Sequence, residues 1–229
     1  MRVLALETSS ETASVALWID GDCRELSQSG ARGHSDHLLA MVAQLMAEAQ
    51  VGMAGLDGVA CGIGPGAFTG VRIAVSVAQG LALARDLPVA PVVSLQALAE
   101  AADAARVYAC IDARMGQVYA GAYEREADGW RTVVPPCLAE TAAPPLPQGH
   151  WVAVGSGLKV LASSTLAGLD ASDRRSDALP QARAVASLGV LGLRKGEGMD
   201  AAQAAPLYLR DKVALDVHEQ AAKRAARQA

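Results

Sequence analysis

Aromatic side chains are nearly missing from this 229-residue chain: they make up 3% of it, with a single phenylalanine, Phe68. A surface that stacks single-stranded bases needs several exposed rings, so the composition argues against that mode of binding. Lysine is equally scarce. Lys159, Lys195, Lys212 and Lys223 are the only four among 20 basic residues, and 24 acidic residues leave a net charge of -4. A chain that wraps nucleic acid by itself carries a basic excess, which is absent here. Lys223, Arg224 and Arg227 do crowd the end of the chain, as a solvated helix end or as a polyanion contact. The four cysteines, Cys23, Cys61, Cys110 and Cys137, never form C-x-x-C, which excludes the usual zinc and disulfide frameworks. There is no uncharged apolar run of membrane-spanning length. The opening MRVLALETSS places Glu7 where a signal peptide would be apolar. These absences together give the expectation of a soluble, cytoplasmic protein without membrane contact.

What is present is core. A hydrophobic fraction of 52% against 19% charged suits one large or two small globular domains. Arg2–Leu6 and Ala13–Ile19 read as a hairpin, Asp20-Gly21 as a turn, and Cys23–Leu26 as a third strand. From Ser35, placed as N-cap, Leu38, Met41, Val42, Leu45 and Ala49 recur at helical spacing. A strand Val59–Gly62, a helix Val71–Arg85, an extended run Leu87–Ser94 and a helix Leu95–Ala105 follow. The pattern then restarts: Arg106–Ile111, the acid Asp112, a turn, Gln117–Tyr123, Asp128-Gly129, Trp130–Val134. Two copies of strand, acid, turn, strand, turn, strand, about 105 residues apart, imply a duplicated unit and two similar domains, 1–104 and 105–229, rather than a solenoid. Half of the ten prolines fall between Pro135 and Pro147, read as a loop within the second copy. Strand Trp151–Val154, a helix near Gly157–Leu166, another from Pro180 and a final basic helix complete the reading. The terminal helix has the option of packing back on the first domain.

Gly62-Ile63-Gly64-Pro65-Gly66-Ala67-Phe68-Thr69-Gly70 joins a buried strand to a helix, a place where free N–H groups can cradle phosphate. It is neither a Walker A loop nor a dinucleotide fingerprint. The alternative is a tight turn packed on neighbouring backbone, with Thr69 as N-cap. Arg72 opposes the helix dipole, so it calls for a carboxylate such as Glu7, or for a partner or anion. Phe68 in that loop suits a contact surface. In the following helix Arg72, Ser76 and Gln79 form one narrow polar stripe, and the rest is apolar on both sides. That pattern means either a core face plus a protein interface or complete burial. His34 and His37 lack the further ligands of a metal site and read as helix-start residues. Glu7 and Asp112 end equivalent strands, as paired carboxylates at a cleft or as caps of their own turns. Gly155-Ser156-Gly157 is a weak nucleotide-contact turn.

Taken together, LETSSETASVAL, HSDHLL, GIGPGAFTGVRIAVSVAQGLA, SLQALA, IDARMGQVYAGAY, VGSG and PLYLR resemble the TsaB (YeaZ) family over nearly the whole chain. The resemblance implies an α/β fold of two tandem actin-like (ASKHA, ribonuclease H-like) domains, each a mixed sheet with helices. It also implies a non-catalytic scaffold and dimerisation subunit. Such a subunit supports a TsaD-like transferase, together with a TsaE-like ATPase, in forming threonylcarbamoyladenosine next to the tRNA anticodon. Implied too are a homodimer when the chain is alone, tRNA contact only through the complex, and no cofactor of its own, with ATP or ADP only in the complex. No catalytic, cofactor or metal residues are expected, and the partner interface is assigned to Leu38, Met41, Leu45, Phe68, Arg72, Ile73, Ser76 and Val77. Glu7, where aspartate is common, and Ala67, where serine is common, depart from the family pattern. The competing expectation is an autonomous ATPase, kinase or peptidase.

Overall fold

A computed structural model describes residues 1–30 and 34–210, with side chains of the first helix described from His37 onward. Strands β1 (Arg2–Glu7), β2 (Thr12–Ile19) and β3 (Asp22–Ser29) pair antiparallel. β4 (Gly58–Gly62) and β5 (Val89–Val92) continue in parallel beyond β1, giving the order β3-β2-β1-β4-β5. Successive side chains leave opposite faces of a strand. Leu4, Leu6, Val15, Leu17 and Val59 therefore enter one core, and Val3, Ala5, Ala16 and Ala60 another. Helices α1 (His34–Glu48) and α2 (Phe68–Leu83) cover the large-residue face.

The second sheet repeats the first. β6 (Arg106–Arg114), β7 (Gln117–Glu126) and β8 (Gly129–Glu140) are antiparallel, and β9 (Val152–Val154) and β10 (Arg174–Arg175) extend in parallel beyond β6. The order β8-β7-β6-β9-β10 matches the first sheet strand for strand, so the duplication read from the sequence is a duplication of topology. A cut at residue 104 parts the two sheets, yet helices cross it. Leu95 and Leu98 of α3 (Ser94–Glu100) pack on Val107, Ala109, Tyr123 and Val154 of the second sheet. Helix α5 (Ala182–Arg194) lies on the small-residue face of the first sheet, so close that a Cβ at Gly189 would overlap the Ala60 methyl. Its first N–H groups, which lack intrahelical partners, are met by Ser14 Oγ (2.9 Å to Ala182 N) and Glu25 Oε1 (2.9 Å to Arg183 N). At the end of α3, Glu100 accepts from Trp130 Nε1 (2.7 Å) and Ser187 Oγ (2.8 Å), tying both lobes to the helix layer between them.

Several local expectations are corrected. The helix from Leu95 ends at Glu100, before Asp103 takes a positive φ of 48°. The stretch near Gly157–Leu166 is a 3₁₀ turn (Ser156–Lys159) and a separate short α4 (Ser163–Leu166). Pro135 and Pro136 are not in a loop but inside β8, which continues to Glu140. β8 is an edge strand, where a missing N–H costs no ladder bond and discourages pairing with another chain. The helix from Pro180 begins at Ala182, with Gln181 as N-cap. The final basic helix lies outside the described residues.

Candidate partner-docking face and interlobe cleft

The glycine loop after β4 is packed closely against residues 7–9. A Cβ at Gly62 would overlap the Glu7 carboxylate, one at Gly66 the Ser9 carbonyl oxygen, and one at Gly70 the Thr8 carbonyl oxygen. The close approach is held by Thr8 Oγ1 donating to Gly70 O (2.6 Å) and Ala67 N donating to Ser9 O (2.7 Å). One side of the glycine loop is therefore packed against the backbone of residues 8 and 9. The equivalent turn after β9 behaves alike. Cβ atoms at Gly155 and Gly157 would overlap Cys110 of β6, and Ser156 Oγ accepts from Asp112 N (3.2 Å). Both turns take the packed-backbone alternative.

The two strand-end acids are placed differently, Glu7 in the core and Asp112 at the wall of the interlobe cleft. Glu7 is fully buried, its Oε1 accepting from Ser9 N (2.6 Å) and its Oε2 from Ser94 Oγ (2.8 Å). Burial pushes its carboxyl above the ordinary 4.5, against the lowering effect of these hydrogen bonds. Asp112 caps its own turn through Arg114 N (2.7 Å) and pairs with the Arg114 guanidinium (3.1 Å). Glu7 therefore does not hold Arg72, and Thr69 does not cap α2. The cap position is Ala67, without a side-chain bond, and no acidic residue stands in the first turn.

Arg72 lies over Phe68 instead, 3.7 Å from the ring centroid, and its Nε donates to Tyr208 Oη (2.7 Å). The expected interface residues divide. Phe68 (39% exposed), Arg72 and Ser76 face solvent, and Ile73 and Val77 are half-buried at the margin of the first core. Leu38, Met41 and Leu45 are 0%, 7% and 1% exposed and sit inside that core, so their assignment to a partner surface is corrected. They form the stripe α1 needs against the sheet, and the outward face of α1 carries Leu39 (52% exposed) and alanines instead. Helix α2 resolves in the same way. Val71, Ala74, Val75, Ala78 and Ala82 are buried, whereas Ser76, Gly80 and Leu83 (60%) are exposed.

Between the lobes opens a cleft of about 970 Å³, walled by the glycine loop, the β6–β7 turn and residues 207–210. Segment 204–210 straps its two sides. Ala204 O accepts from Gln79 Nε2 (3.0 Å) and Leu207 N donates to Ile63 O (2.8 Å) on the first lobe. On the second lobe, Arg210 donates to Ala113 O (3.0 Å) and Gln117 Oε1 (2.8 Å). Six large apolar side chains are exposed among the described residues. Phe68, Met115, Val160 and Tyr208 line the cleft, and Leu39 and Leu83 lie on α1 and α2. Sequence reasoning missed Leu39, Leu83, Met115 and Tyr208; only the PLYLR segment pointed near the last. His37 is exposed, the His34 side chain lies outside the described residues, and His150 Nε2 sits 2.9 Å from Asp173 Oδ2. All four cysteines are free, and burial pushes the Cys61 and Cys110 thiols to about 12, which leaves them as packing groups.

Comparison with known proteins agrees with this geometry. The family model described as TsaD, tRNA N6-adenosine threonylcarbamoyltransferase, matches residues 27–215. The tRNA threonylcarbamoyladenosine biosynthesis protein TsaB of Escherichia coli is 36% identical over 225 residues, covering 93% of this chain and 96% of that one. Its namesake from Haemophilus influenzae is 35% identical over 227 residues, covering 93% and 95%. The solved structure of YeaZ from Pseudomonas aeruginosa superposes with a TM-score of 0.82 at 38% identity, covering 91% of this chain and 99% of that one. With the duplicated α/β topology and similarity along nearly its whole length, the chain belongs to the TsaB (YeaZ) family.

Proposed function

We propose that this chain is a non-catalytic subunit of the machinery that makes threonylcarbamoyladenosine in tRNA, supporting a TsaD-like transferase. The observation that carries the reading is the close packing of the two glycine turns, residues 62–70 and 155–157, against neighbouring protein. A Cβ would overlap neighbouring protein in both, Glu7 is held by two buried hydrogen bonds, and Asp112 at the cleft wall caps its own turn. What remains to offer a partner is surface. The outward faces of α1 and α2 present Leu39, Ser76, Gly80 and Leu83, and small residues between them let another helix approach closely. Removing such apolar area from water is worth roughly 25 cal/mol per Å² before the costs of association. We assign to the same face the pairing of two copies when the chain is alone. A TsaE-like ATPase and tRNA join through the complex, and ATP or ADP binds only there. The setting is the cytoplasm, consistent with the lack of any helix long and apolar enough to cross a membrane among the described residues. The alternative, an autonomous ATPase, kinase or peptidase, is not favoured by the similarity to TsaB proteins along nearly the whole chain. Co-expression with the TsaD-like subunit of the same organism, followed by sizing, tests the proposal. A stable heteromeric complex is expected, and two proteins that elute separately at all concentrations would end it.

A further inference from the structure

Arg72 is an exposed cation in an unusual setting. Its guanidinium lies 3.7 Å from the Phe68 centroid and 5.5 Å from that of Tyr208, the two rings being 5.9 Å apart at 38°. Its Nε is used by Tyr208 Oη. Its two terminal nitrogens make no hydrogen bond, and no carboxylate lies within ion-pair distance, among the described residues. Two rings and one hydroxyl thus restrain the guanidinium of an exposed residue before any partner arrives, which lowers the side-chain entropy lost on binding. Independently, α2 starts at that spot without a capping side chain or an acid in its first turn, so the positive end of the helix adds to the arginine rather than being offset. Both features ask for an anion. The surroundings say of what kind: Phe68 and Tyr208 are 39% and 51% exposed, Met115 across the cleft is 51% exposed, and the outward face of α2 runs on from Arg72 to Leu83. An arginine clasped by two exposed aromatics, with exposed Met115 and Leu83 nearby, is the composition of a protein-interface anchor.

We infer that Arg72, clasped by Phe68 and Tyr208, is the anchor of the docking face and takes an aspartate or glutamate side chain of the TsaD-like partner as a two-pronged ion pair. The inference rests on the docking role argued above and deepens it. It gives the strap a task, because Tyr208 is delivered to Arg72 by the segment that Arg210 fastens to the second lobe. The anchor is formed only while that fastening holds. The partner carboxylate gains charge-assisted bonds in parallel geometry, which lysine cannot reproduce.

The test measures affinity for the purified TsaD-like subunit by titration calorimetry at two salt concentrations, for the wild type and for Arg72→Lys, Arg72→Gln, Tyr208→Phe and Leu83→Asp. Arg72→Lys should weaken binding roughly tenfold or more although the charge is kept. Arg72→Gln should weaken it further and flatten the salt dependence, and Tyr208→Phe should fall between wild type and Arg72→Lys. Zero-length carbodiimide coupling of the Arg72→Lys complex should join the introduced amine to one partner carboxylate. Unchanged affinity for Arg72→Lys and Arg72→Gln, with Leu83→Asp still abolishing the complex, overturns the anchor and leaves the docking role intact. No wild-type complex at all, or one indifferent to Leu83→Asp, overturns the docking role itself. Loss of tRNA retention by Arg72→Gln with unchanged partner affinity would hand the fork to a phosphate and likewise overturn the anchor.

Discussion

Replacing Gly70 with alanine places a methyl where the Thr8 carbonyl oxygen stands. Neither neighbour can yield cheaply, since both are backbone. The turn after β1 and the glycine loop must part, and with them go the Thr8 Oγ1 to Gly70 O bond and the Ala67 N to Ser9 O bond. Two such bonds at about 1 kcal/mol each, plus about 1–3 kcal/mol for polar groups left buried and unpaired, predict a loss of about 3–5 kcal/mol. At about 2–4 °C per kcal/mol for a chain of this size, thermal melting should drop by roughly 6–20 °C. Gly80 in the same helix supplies the control. Nothing lies within 4 Å of a Cβ there, so Gly80→Ala should instead gain about 0.5–1 kcal/mol from helix propensity. Melting followed by circular dichroism compares the two. Gly70→Ala within a degree of wild type would mean that the loop is not clasped against residues 8 and 9, and would reopen the phosphate reading.

Further outcomes follow from the same geometry. Leu45→Ala should cost about 2–5 kcal/mol in urea unfolding, as a core truncation does; a change under 0.5 kcal/mol would return Leu45 to the surface. Glu7 has a folded pKa raised by burial, so its contribution is fully present below the unfolded value near 4.5 and is lost as pH rises through the folded one. Wild type should therefore lose stability relative to Glu7→Gln as pH climbs from about 4.5 toward neutrality, and parallel stability curves would refute a buried, reluctantly ionised carboxyl. The purified chain should release no phosphate from ATP above background, and turnover that vanished in Asp112→Asn would contradict the role given to that turn.

The doubled topology was legible because each copy keeps its own marks: an apolar strand, an acid, a turn and a returning strand, at Arg2–Ile19 and again at Arg106–Tyr123. The outward face of α1 was not. Its apolar residues include Leu38, Leu39, Met41, Val42, Leu45 and Met46 with alanines between, and periodicity assigns such a helix a stripe without saying which leucine lies at its edge. Packing on β2 decides that Leu38 goes in and Leu39 stays out. The glycine loop was readable as a tight turn, but the backbone it meets lies some sixty residues earlier. Arg72 showed its need for a partner through the helix dipole alone. Tyr208, which partly answers that need, stands 136 residues away, and no local pattern links the two. The proline pair 135–136 misled because proline reads as loop until the strand is known to be an edge.

Reconstituted modification separates the docking role proposed for this chain from a chemical one. Radiolabelled threonine incorporated into tRNA is measured with the TsaD-like subunit, its ATPase partner and one version of this chain at a time. Asp112→Asn should support full incorporation, and the double variant Leu39→Asp, Leu83→Asp, folded by circular dichroism, should support none. Incorporation that survives the two surface charges but fails with Asp112→Asn would contradict the account.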